Sequence, residues 1–467
     1  MASRLLLCLL MCTYCAFVHG VSRNGFAVVP TSSFFASQPA CSAAASPVPS
    51  GPNRASMPLV HRHGPCAPPS GDSGQPPLAE RLRRDRDRAR YILHRASGGR
   101  AMTELSDNGT ASIPTNLGDT VESLEYVVTL GIGTPPVEQT LLMDTGSDLS
   151  WVQCAPCNAT SCYPQKDPLF DPSKSSTYRS IPCGSDACKN LTTDHYSRGC
   201  AANSTLCGFS IKYGDGSTTT GVYSSETLAL APGATVRDFG FGCGNNQRGP
   251  NDRYDGLLGL GGAPESLVSQ TAVLYGGVFS YCLPPGSRTA GFLTLGAPSK
   301  NTADFVFAPL QSFPNVPTFY MVTLEDISVA GKPLRIPPAV FSGGMVIDSG
   351  TVITLLPSTA YTSLRTAFRG AMSAYPLLPP NDDNDLDTCY NFTGFSNVMV
   401  PTVSLSFSGG ATIDLDVPSG VLLEGCLAFA EGSQDGGFGI IGNVNQRTFE
   451  VLYDSGKGHV GFRPGAC

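Results

Sequence analysis

The chain carries few charges for its length and, beyond its first residues, has no long hydrophobic run. Charged residues make up 14% of its 467 residues. After Gly20, no stretch approaches the roughly 20 apolar residues that a membrane-spanning helix needs. The formal net charge is −7, which is unfavourable for a protein that binds nucleic acid. These features argue against a multi-span membrane protein and against a nucleic-acid partner.

Glycine and proline are abundant instead, with 52 and 38 residues. The apolar runs between them are short and rich in valine, isoleucine, threonine and aromatic residues, a texture typical of many short strands joined by turns. The length alone suggests about three domains. Residues 361–375 have the apolar spacing of a helix. The sequence therefore predicts an all-β protein with few helices.

The charges are distributed unevenly along the chain. Residues 1–115, the basic head, have a net charge of +6, and residues 116–467, the acidic body, have a net charge of −13. Residues 21–79, rich in serine, alanine, proline and glycine, are expected to be poorly ordered. Glu80 to Ala96 contains strong helix formers and many arginines. It predicts either a solvated charged helix or a propeptide helix lying against the acidic body.

The first 20 residues have the organisation of a secretory signal. Arg4 supplies the positive start, Leu5 to Val18 forms the apolar core, and small residues lead to a cleavage point near Gly20. The alternative is a membrane anchor, but the apolar run is short for that purpose. We therefore expect no membrane anchor after the signal is cleaved.

The number of cysteines supports export through the secretory pathway. Twelve of the 17 cysteines lie beyond residue 115, and an even number in a secreted chain predicts six disulfides. Cys154-Ala-Pro-Cys157 could instead be a redox pair or half of a zinc site, but no helix signal accompanies it. The twelve are Cys154, Cys157, Cys162, Cys183, Cys188, Cys200, Cys207, Cys243, Cys282, Cys389, Cys426 and Cys467. Five glycosylation sequons fit the same route: Asn108, Asn158, Asn190, Asn203 and Asn391.

Two short motifs repeat 204 positions apart. Met143 to Ser147 and Ile347 to Thr351 are each an apolar run that ends in Asp, a small hydroxyl residue, Gly and a second hydroxyl residue. Each is followed later by two apolar residues and Gly, in 255–260 and in 438–443. The shared order predicts a duplicated fold that brings Asp144 and Asp348 together. Paired carboxylates can perform acid–base chemistry on water.

These motifs resemble the pepsin-type (family A1) aspartic proteases, over a stretch from about Glu125 to the C-terminus. Trp151 lies seven residues after Asp144, as in that family, and Tyr213 to Ser217 resembles the flap that covers the substrate. The resemblance implies an all-β, bilobal pepsin-like fold with two pseudo-symmetric β-barrel-like lobes. Together with the signal described above, it predicts a signal peptide (1–20), a propeptide (21–115), an N-terminal lobe (124–300) with the cysteine-rich insertion and the flap, and a C-terminal lobe (301–467).

Within the family, the likeness is greatest to plant nepenthesin-like enzymes. The stretch from Cys154 to Cys207 resembles their cysteine-rich insertion, and Leu59 to Cys66 resembles the prosegment of plant secreted members. The resemblance implies the pairs Cys154–Cys157, Cys162–Cys243, Cys183–Cys207, Cys188–Cys200, Cys282–Cys467 and Cys389–Cys426. Counting cysteines alone leaves the connectivity open.

The resemblance implies that Asp144 and Asp348 form the catalytic base–acid pair, because two adjacent carboxylates have split pKa values and only one ionises readily. The sequence does not assign the proton to either of them. The glycines after them allow a tight turn, the outer hydroxyls donate hydrogen bonds to the carboxylates, and the inner hydroxyls reach across between the loops. These supporting residues are Thr145, Gly146, Ser147, Ser349, Gly350 and Thr351. Tyr213 is expected to cover the bound peptide, with Trp151 holding its hydroxyl.

The sequence thus predicts a secreted aspartic endopeptidase made as a zymogen, with no cofactor and no metal. We expect a monomer that acts on polypeptides with bulky apolar residues around the cut, in the extracellular space or apoplast, with vacuole or plastid as alternatives. The alternative function is an inactive, xylanase-inhibitor-like binding protein of the same fold. A Ser/His or Cys/His site built on His61, His63, His94 or His195 lacks a recognisable nucleophile motif, and glycine-rich 239–244 lacks the lysine of a phosphate loop.

Overall fold

The computed structural model describes residues 25–35, 41, 50–51, 53–67, 77–97, 125–157, 160–193, 197–200, 204–213, 218–248, 254–286, 288–298, 302–311, 317–379 and 386–467. The predicted signal peptide lies outside these ranges. None of the helices within them has both the length and the hydrophobicity needed to cross a bilayer.

Short strands dominate the described chain, so the prediction of a mainly β protein with few helices is confirmed. The strands of the first half are β1 (Phe26–Pro30), β2 (Ala55–His61), β3 (Tyr126–Ile132), β4 (Val137–Asp144), β5 (Trp151–Gln153), β6 (Arg179–Ser180), β7 (Ser197–Gly199), β8 (Gly208–Lys212), β9 (Thr218–Ala231), β10 (Ala234–Arg248), β11 (Gly256–Gly259), β12 (Val278–Cys282) and β13 (Ala290–Leu295). Those of the second half are β14 (Val306–Pro309), β15 (Met321–Val322), β16 (Leu324–Val329), β17 (Lys332–Pro333), β18 (Met345–Ile347), β19 (Thr354–Pro357), β20 (Asn397–Pro401), β21 (Val403–Phe407), β22 (Thr412–Asp414), β23 (Leu422–Leu423), β24 (Cys426–Leu427), β25 (Phe429–Ser433), β26 (Gly439–Ile441), β27 (Glu450–Asp454) and β28 (His459–Arg463).

The α-helices are few and mostly short. They are α1 (Ser32–Phe35), α2 (Leu78–Ala96), α3 (Asp186–Thr193), α4 (Leu267–Gln270), α5 (Ala272–Tyr275) and α6 (Ser358–Ala371). Helix α6 begins three residues before, and ends four residues before, the helix predicted over residues 361–375; Pro357 stands at its N-cap position. Its buried residues Leu364 and Phe368 lie on one face, as the apolar spacing predicts.

One large sheet joins the two halves of the chain. Its strand order is β14-β28-β27-β12-β13-β2-β3-β4-β11-β5-β10-β9-β8-β7, with β6 paired to β9. Strands β27 and β28 come from the end of the chain, yet they lie beside β12 and β14. The division into lobes at residue 300 stays a prediction, since strands from both sides of it share this sheet.

The two Asp motifs end equivalent strands. In the first half, β4 lies parallel to β11 with Asp144 opposite Gly259, and β11 lies antiparallel to β5. In the second half, β18 lies parallel to β26 with Ile347 opposite Ile441, and β26 lies antiparallel to β19. The two apolar-apolar-Gly runs therefore form the strands next to the Asp-bearing strands, and the duplication inferred from the motifs is visible in the sheet pairing.

Two segments of the basic head are well-formed strands, so the expectation that residues 21–79 are poorly ordered is wrong for them. Strand β2 lies between β13 and β3 in the large sheet. Its alternate residues Ala55, Met57 and Leu59 are buried in the core. This period-2 pattern is the ordinary signal of a strand. Strand β1 pairs with β20 in the second half of the chain.

The disulfide pairing differs from the predicted one at eight cysteines. Cys282–Cys467 and Cys389–Cys426 form as expected. The other pairs within the predicted set are Cys154–Cys243, Cys157–Cys162, Cys183–Cys200 and Cys188–Cys207. A further disulfide, Cys41–Cys66, lies in the basic head, so seven rather than six disulfides occur among the described residues.

The pairing of strands β5 and β10 explains why Cys154 bonds to Cys243 and not to Cys157. Strand β5 lies parallel to β10 with Val152 opposite Cys243, and the Cys154 backbone N–H donates to the Gly244 carbonyl at 2.7 Å. This register places the Cα atoms of Cys154 and Cys243 5.4 Å apart, within the usual disulfide range. Cys157 is then left to pair with Cys162.

Candidate active site

The first Asp loop surrounds its carboxylate with donors. Asp144 is 1% exposed and ends β4. The Gly146 backbone N–H donates to Asp144 Oδ1 at 2.8 Å, and the Ser147 hydroxyl donates to Oδ2 at 2.6 Å. Such hydrogen bonds compensate a buried carboxylate for the water it has lost.

The second Asp loop has the same pattern. Asp348 is fully buried and directly follows β18. The Gly350 backbone N–H donates to its Oδ1 at 3.2 Å, and the Thr351 hydroxyl donates to its Oδ2 at 2.5 Å. The two carboxylates are therefore held by equivalent groups, as a duplicated site requires.

The inner hydroxyl residues bind the two loops to each other. The Ser349 backbone N–H donates to Thr145 Oγ1 at 2.9 Å, and the Thr145 backbone N–H donates to Ser349 Oγ at 3.2 Å. Both residues are buried. This reciprocal pair fixes the spacing between Asp144 and Asp348.

Gly146 is required by space. A Cβ atom built on it would lie 2.7 Å from Arg88 Nη2 and 2.9 Å from Asp348 Oδ1. Contacts this short force the neighbouring atoms to move, so a side chain at this position would displace the Arg88 guanidinium and crowd the Asp348 carboxylate.

An arginine of helix α2 lies between the two aspartates. Arg88 Nη2 is 2.5 Å from Asp144 Oδ1 and 2.9 Å from Asp348 Oδ1, and Arg88 Nε is 2.9 Å from Asp348 Oδ2. Its side chain is only 7% exposed. The part of the chain up to the end of α2, residues 25–97, is called the basic segment below. Its helix α2 lies on the carboxylates, and Arg88 neutralises part of their charge.

This contact changes the ionisation of Asp348. Burial alone would raise the pKa of Asp348, but the adjacent Arg88 guanidinium and the hydrogen bonds from Arg88, Thr351 and Gly350 outweigh it and hold that pKa below its ordinary value. The pKa of Arg88 is raised, because the attraction of Asp144 and Asp348 outweighs the effect of burial. The arrangement therefore favours the ion pair between the arginine and the aspartates.

A second residue of the same helix caps the chain just after the Asp348 loop. Asp85 accepts the backbone N–H of Val352 at 2.6 Å and that of Ile353 at 3.1 Å. Burial raises the pKa of Asp85 to about 8, although these two hydrogen bonds oppose the shift. One turn apart on the helix, Asp85 and Arg88 together fix α2 over the second loop.

A buried ion cluster fixes the start of the helix. Arg81 Nε donates to Glu125 Oε1 at 3.0 Å, and His61 and Arg447 contact the other oxygen of Glu125 at 3.5 and 3.8 Å. Burial would raise the pKa of Glu125, but the charges of Arg81 and Arg447 and the hydrogen bond with His61 together outweigh it and hold that pKa well below its usual range. The cluster joins β2, α2 and β3 to the second half of the chain.

The predicted flap residue meets the single tryptophan. Trp151 Nε1 donates to the Tyr213 hydroxyl at 2.5 Å, and both side chains are buried. The rest of the predicted flap, residues 214–217, lies outside the described residues. The structure therefore brings Tyr213 and Trp151 together, and their role toward a substrate stays a prediction.

The sequence pattern indicates the charged helix from Glu80 to Ala96 but does not single out Arg88, Asp85 or Glu125. The only available signal was their location in, or beside, a charged helix with a thin apolar stripe. Among the described residues, no group of acidic, histidine and cysteine side chains has the arrangement of a metal site. Of the five sequons, Asn190 and Asn391 are described and exposed, while Asn108, Asn158 and Asn203 lie outside the described residues.

Comparison with known proteins is consistent with this geometry. An aspartyl protease family protein of Arabidopsis thaliana is 40% identical over 422 residues, covering 89% of this chain and 88% of that protein. The chain belongs to the plant aspartyl protease family. Aspartic proteinase nepenthesin-1 of Nepenthes gracilis, a further relative, is 36% identical over 397 residues, covering 80% of this chain and 86% of that protein.

Two family models and several solved structures match the same region. A model described as xylanase inhibitor N-terminal matches residues 126–297, and one described as xylanase inhibitor C-terminal matches residues 319–464. The crystal structure of basic 7S globulin from soybean has a TM-score of 0.57 at 21% identity, covering 72% of this chain and 90% of that chain. The crystal structure of edgp has a TM-score of 0.59 at 17% identity, covering 89% of this chain and 96% of that chain. These structures establish the pepsin-like two-lobe fold of this family member.

Proposed function

We propose that the protein is an aspartic endopeptidase made as an inactive precursor, with Asp144 and Asp348 as its catalytic pair. The observation that carries this proposal is that one nitrogen, Arg88 Nη2, lies within hydrogen-bond distance of the inner oxygens of both carboxylates. A water molecule has a similar hydrogen-bonding reach. Once the helix leaves, a water in that place contacts both carboxylates at once.

The two aspartates then divide the chemistry of peptide hydrolysis. Without Arg88, two carboxylates this close cannot both ionise easily, so one retains a proton. The ionised aspartate takes a proton from the water as it attacks the scissile carbonyl, and the protonated aspartate donates a hydrogen bond to the carbonyl oxygen. The Ser147 and Thr351 hydroxyls bind the outer oxygens (Oδ2), and the inner oxygens (Oδ1), each of which accepts one backbone N–H, can still accept a hydrogen bond from water.

Helix α2 makes the described chain the inactive form. Its apolar residues Leu82, Ile92 and Leu93 pack against the second half of the chain, in one cluster with Ile353 and Leu355. A peptide substrate cannot reach the aspartates while this helix covers them. Processing between α2 and β3 is therefore the step that we expect to open the site.

The direct test is digestion of a denatured generic protein at about pH 4, with and without pepstatin, by protein from which the basic segment has been removed. Pepstatin-sensitive cleavage by the native chain, and none by Asp144→Asn, supports the proposal. A processed native protein without cleavage would favour the second candidate function.

That second candidate is a binding protein that inhibits a glycosidase. The descriptions of both matching family models favour it, since each refers to a xylanase inhibitor. Both Asp loops are complete in this chain, however, and each carboxylate keeps its two donors. An intact donor set is expected of a chain that retains catalysis.

We further propose polypeptide substrates with bulky apolar residues flanking the cut, and export to the extracellular space. Seven disulfides among the described residues fit an oxidising compartment of the secretory pathway. Peptide mapping of the products and N-terminal sequencing of the exported protein test these two points separately.

A further inference from the structure

The first strand of the chain lies on an edge of the second half, where it forms a two-stranded sheet. Strand β1 pairs antiparallel with β20 over five residue pairs, from Phe26 opposite Pro401 to Pro30 opposite Asn397. Five consecutive pairs amount to a complete short strand, which is more than a single bridge between loops provides.

Hydrogen bonds close both ends of this pairing. The Gly25 carbonyl accepts the backbone N–H of Thr402 at 2.9 Å. At the other end, the Thr31 hydroxyl donates to the Phe395 carbonyl at 2.7 Å. The backbone of β20 is thereby satisfied by a segment that comes from the very start of the described chain.

The inward side chains of β1 complete a core. Ala27 and Val29 are 6% and 0% exposed, and they face Val400 and Val398, which are also buried. The outward side chain between them, Val28, is 56% exposed. The strand therefore has one buried face and one solvent face, as a strand added to a core should.

Helix α1 adds an aromatic anchor directly after the strand. The Phe34 ring stacks on the Phe392 ring with centroids 5.5 Å apart, and Phe34 is 8% exposed. Phe392 also stacks on Tyr390, so Phe34 joins an aromatic row. Residues 25–35 thus bind through a strand and one ring.

This attachment is separate from the contact of helix α2 with the aspartates. The side chains of β1 and α1 belong to a different buried cluster from those of α2. The Cys41–Cys66 disulfide connects two cysteines that both precede α2. None of the described disulfides connects the chain before α2 to the chain after it, so a cut between α2 and β3 leaves the two parts joined by non-covalent contacts alone.

We propose that the edge of β20, together with Phe392, is a strand-binding site whose occupant is residues 25–35 of this chain. After a cut between α2 and β3, this site helps to retain the basic segment, in addition to β2 in the large sheet and α2 on the aspartates. The role of this site in retention rests on the proposed function, because retention matters only if the precursor is cut. Binding of the strand to β20 does not require the protein to be catalytically active. Removal of the segment uncovers the buried faces of Val398 and Val400 and leaves the edge able to accept the same strand again.

The test uses the full chain with a site for a sequence-specific protease inserted between α2 and β3, so that the cut does not depend on the protein's own activity. After the cut at neutral pH, size-exclusion chromatography and mass spectrometry follow the segment. We expect the native segment to co-elute with the body, and Val29→Ser to speed its dissociation about tenfold, by loss of a fully buried side chain. Val28→Ser, a matched change on the exposed face, should leave the rate unchanged. Equal rates for the two variants, or immediate loss of the native segment, would overturn the proposal.

A peptide measurement removes any dependence on folding of the variant chains. A labelled peptide of residues 25–35 is added to the cut protein after its own segment has been removed, and binding is followed by fluorescence anisotropy. The native and Val28→Ser peptides should bind equally, while Val29→Ser and Phe34→Ala should bind at least about tenfold more weakly. Equal binding of all four peptides, or binding by none, contradicts the strand site. Loss of catalytic activity in the same preparation would contradict only the proposed function.

Discussion

Arg88 faces Asp348 edge to edge: its Nε and Nη2 atoms each lie 2.9 Å from one oxygen of the Asp348 carboxylate. A planar guanidinium matches a carboxylate in this way better than a lysine ammonium does. The same Nη2 atom also donates to Asp144. One arginine of the basic segment thus binds both members of the proposed catalytic pair.

Replacement of Arg88 should therefore weaken the attachment of α2 to the aspartates in the uncut chain and let an inhibitor displace the helix more easily. Arg88→Ala removes the only described cation between the two aspartates, and we expect the intact precursor to bind pepstatin at least about tenfold more tightly than the native precursor does. Isothermal titration at about pH 5 measures this difference. Arg90→Ala is the control, because Arg90 lies on the same helix with its side chain 61% exposed. Equal affinities for native and Arg88→Ala precursors would show that the arginine does not close the site.

Acidification should release the basic segment in two stages. Protonation of His61 weakens its docking first, and protonation of the aspartates does so only at lower pH. Burial lowers the pKa of His61 from 6.5, against the opposing effect of Glu125. The docked segment therefore binds fewer protons at this group than the released segment does, and docking weakens as the pH falls below about 6.5. Asp348 acts only at lower pH: its lowered pKa gives a contribution that is present above the ordinary value of 3.8 and is lost as the pH falls through the lowered one.

Asp85 opposes this release. Its pKa is raised to about 8, so the docked form binds more protons at this group, and this contribution to docking is lost as the pH rises from 3.8 to about 8.

His61→Asn, which cannot be protonated, should lower the midpoint pH of segment release by about half a unit or more. Electrophoresis of the cut protein across a pH series measures the midpoint, with exposed His94→Asn as the control. An unchanged midpoint for His61→Asn would place the sensor elsewhere.

The reciprocal bonds between the loops should matter for both stability and rate. Thr145→Val deprives the buried Ser349 N–H of its acceptor, and an unpaired buried N–H costs about 1–3 kcal/mol. We expect a lower melting temperature and a fall in kcat, because the spacing of the aspartates is no longer fixed. Thr362→Val, an exposed change on α6, should affect neither. A variant with full kcat would mean that other contacts position the aspartates.

Trp151 and Tyr213 should behave as one unit. If the indole N–H positions the tyrosine hydroxyl over the substrate, Trp151→Phe and Tyr213→Phe each lower kcat/KM by about tenfold, and the double variant is no worse than either single one. Steady-state kinetics of the four proteins provide this double-mutant cycle. Fully additive losses would indicate that the two residues act separately.

The sequence indicated the aspartate loops because their support is local. Gly146 and Ser147 lie two and three residues from Asp144, so a five-residue motif contains the whole donor set. The mainly β architecture could also be predicted from the sequence, because it follows from short β-branched runs and frequent turns.

What the sequence left open depends on long-range pairing. Cys154 meets Cys243 because β5 lies parallel to β10, a neighbour relation that cysteine spacing does not encode. Strand β2 went unrecognised because Pro58 and the surrounding low-complexity composition masked its alternation. Arg88 could be assigned only once the register of α2 over the cleft was known.

The most direct experiment compares the rate of peptide cleavage at acid pH by two processed proteins, the native one and the Asp348→Asn variant. Both are cut between α2 and β3 at the inserted protease site, so processing does not depend on their own activity. The native protein should cleave a peptide substrate at about pH 4, and pepstatin should block this cleavage. Asp348→Asn, with an unchanged circular dichroism spectrum, should cleave about a thousandfold more slowly or not at all. Equal rates for the two proteins would contradict the assignment of Asp144 and Asp348 as the catalytic pair.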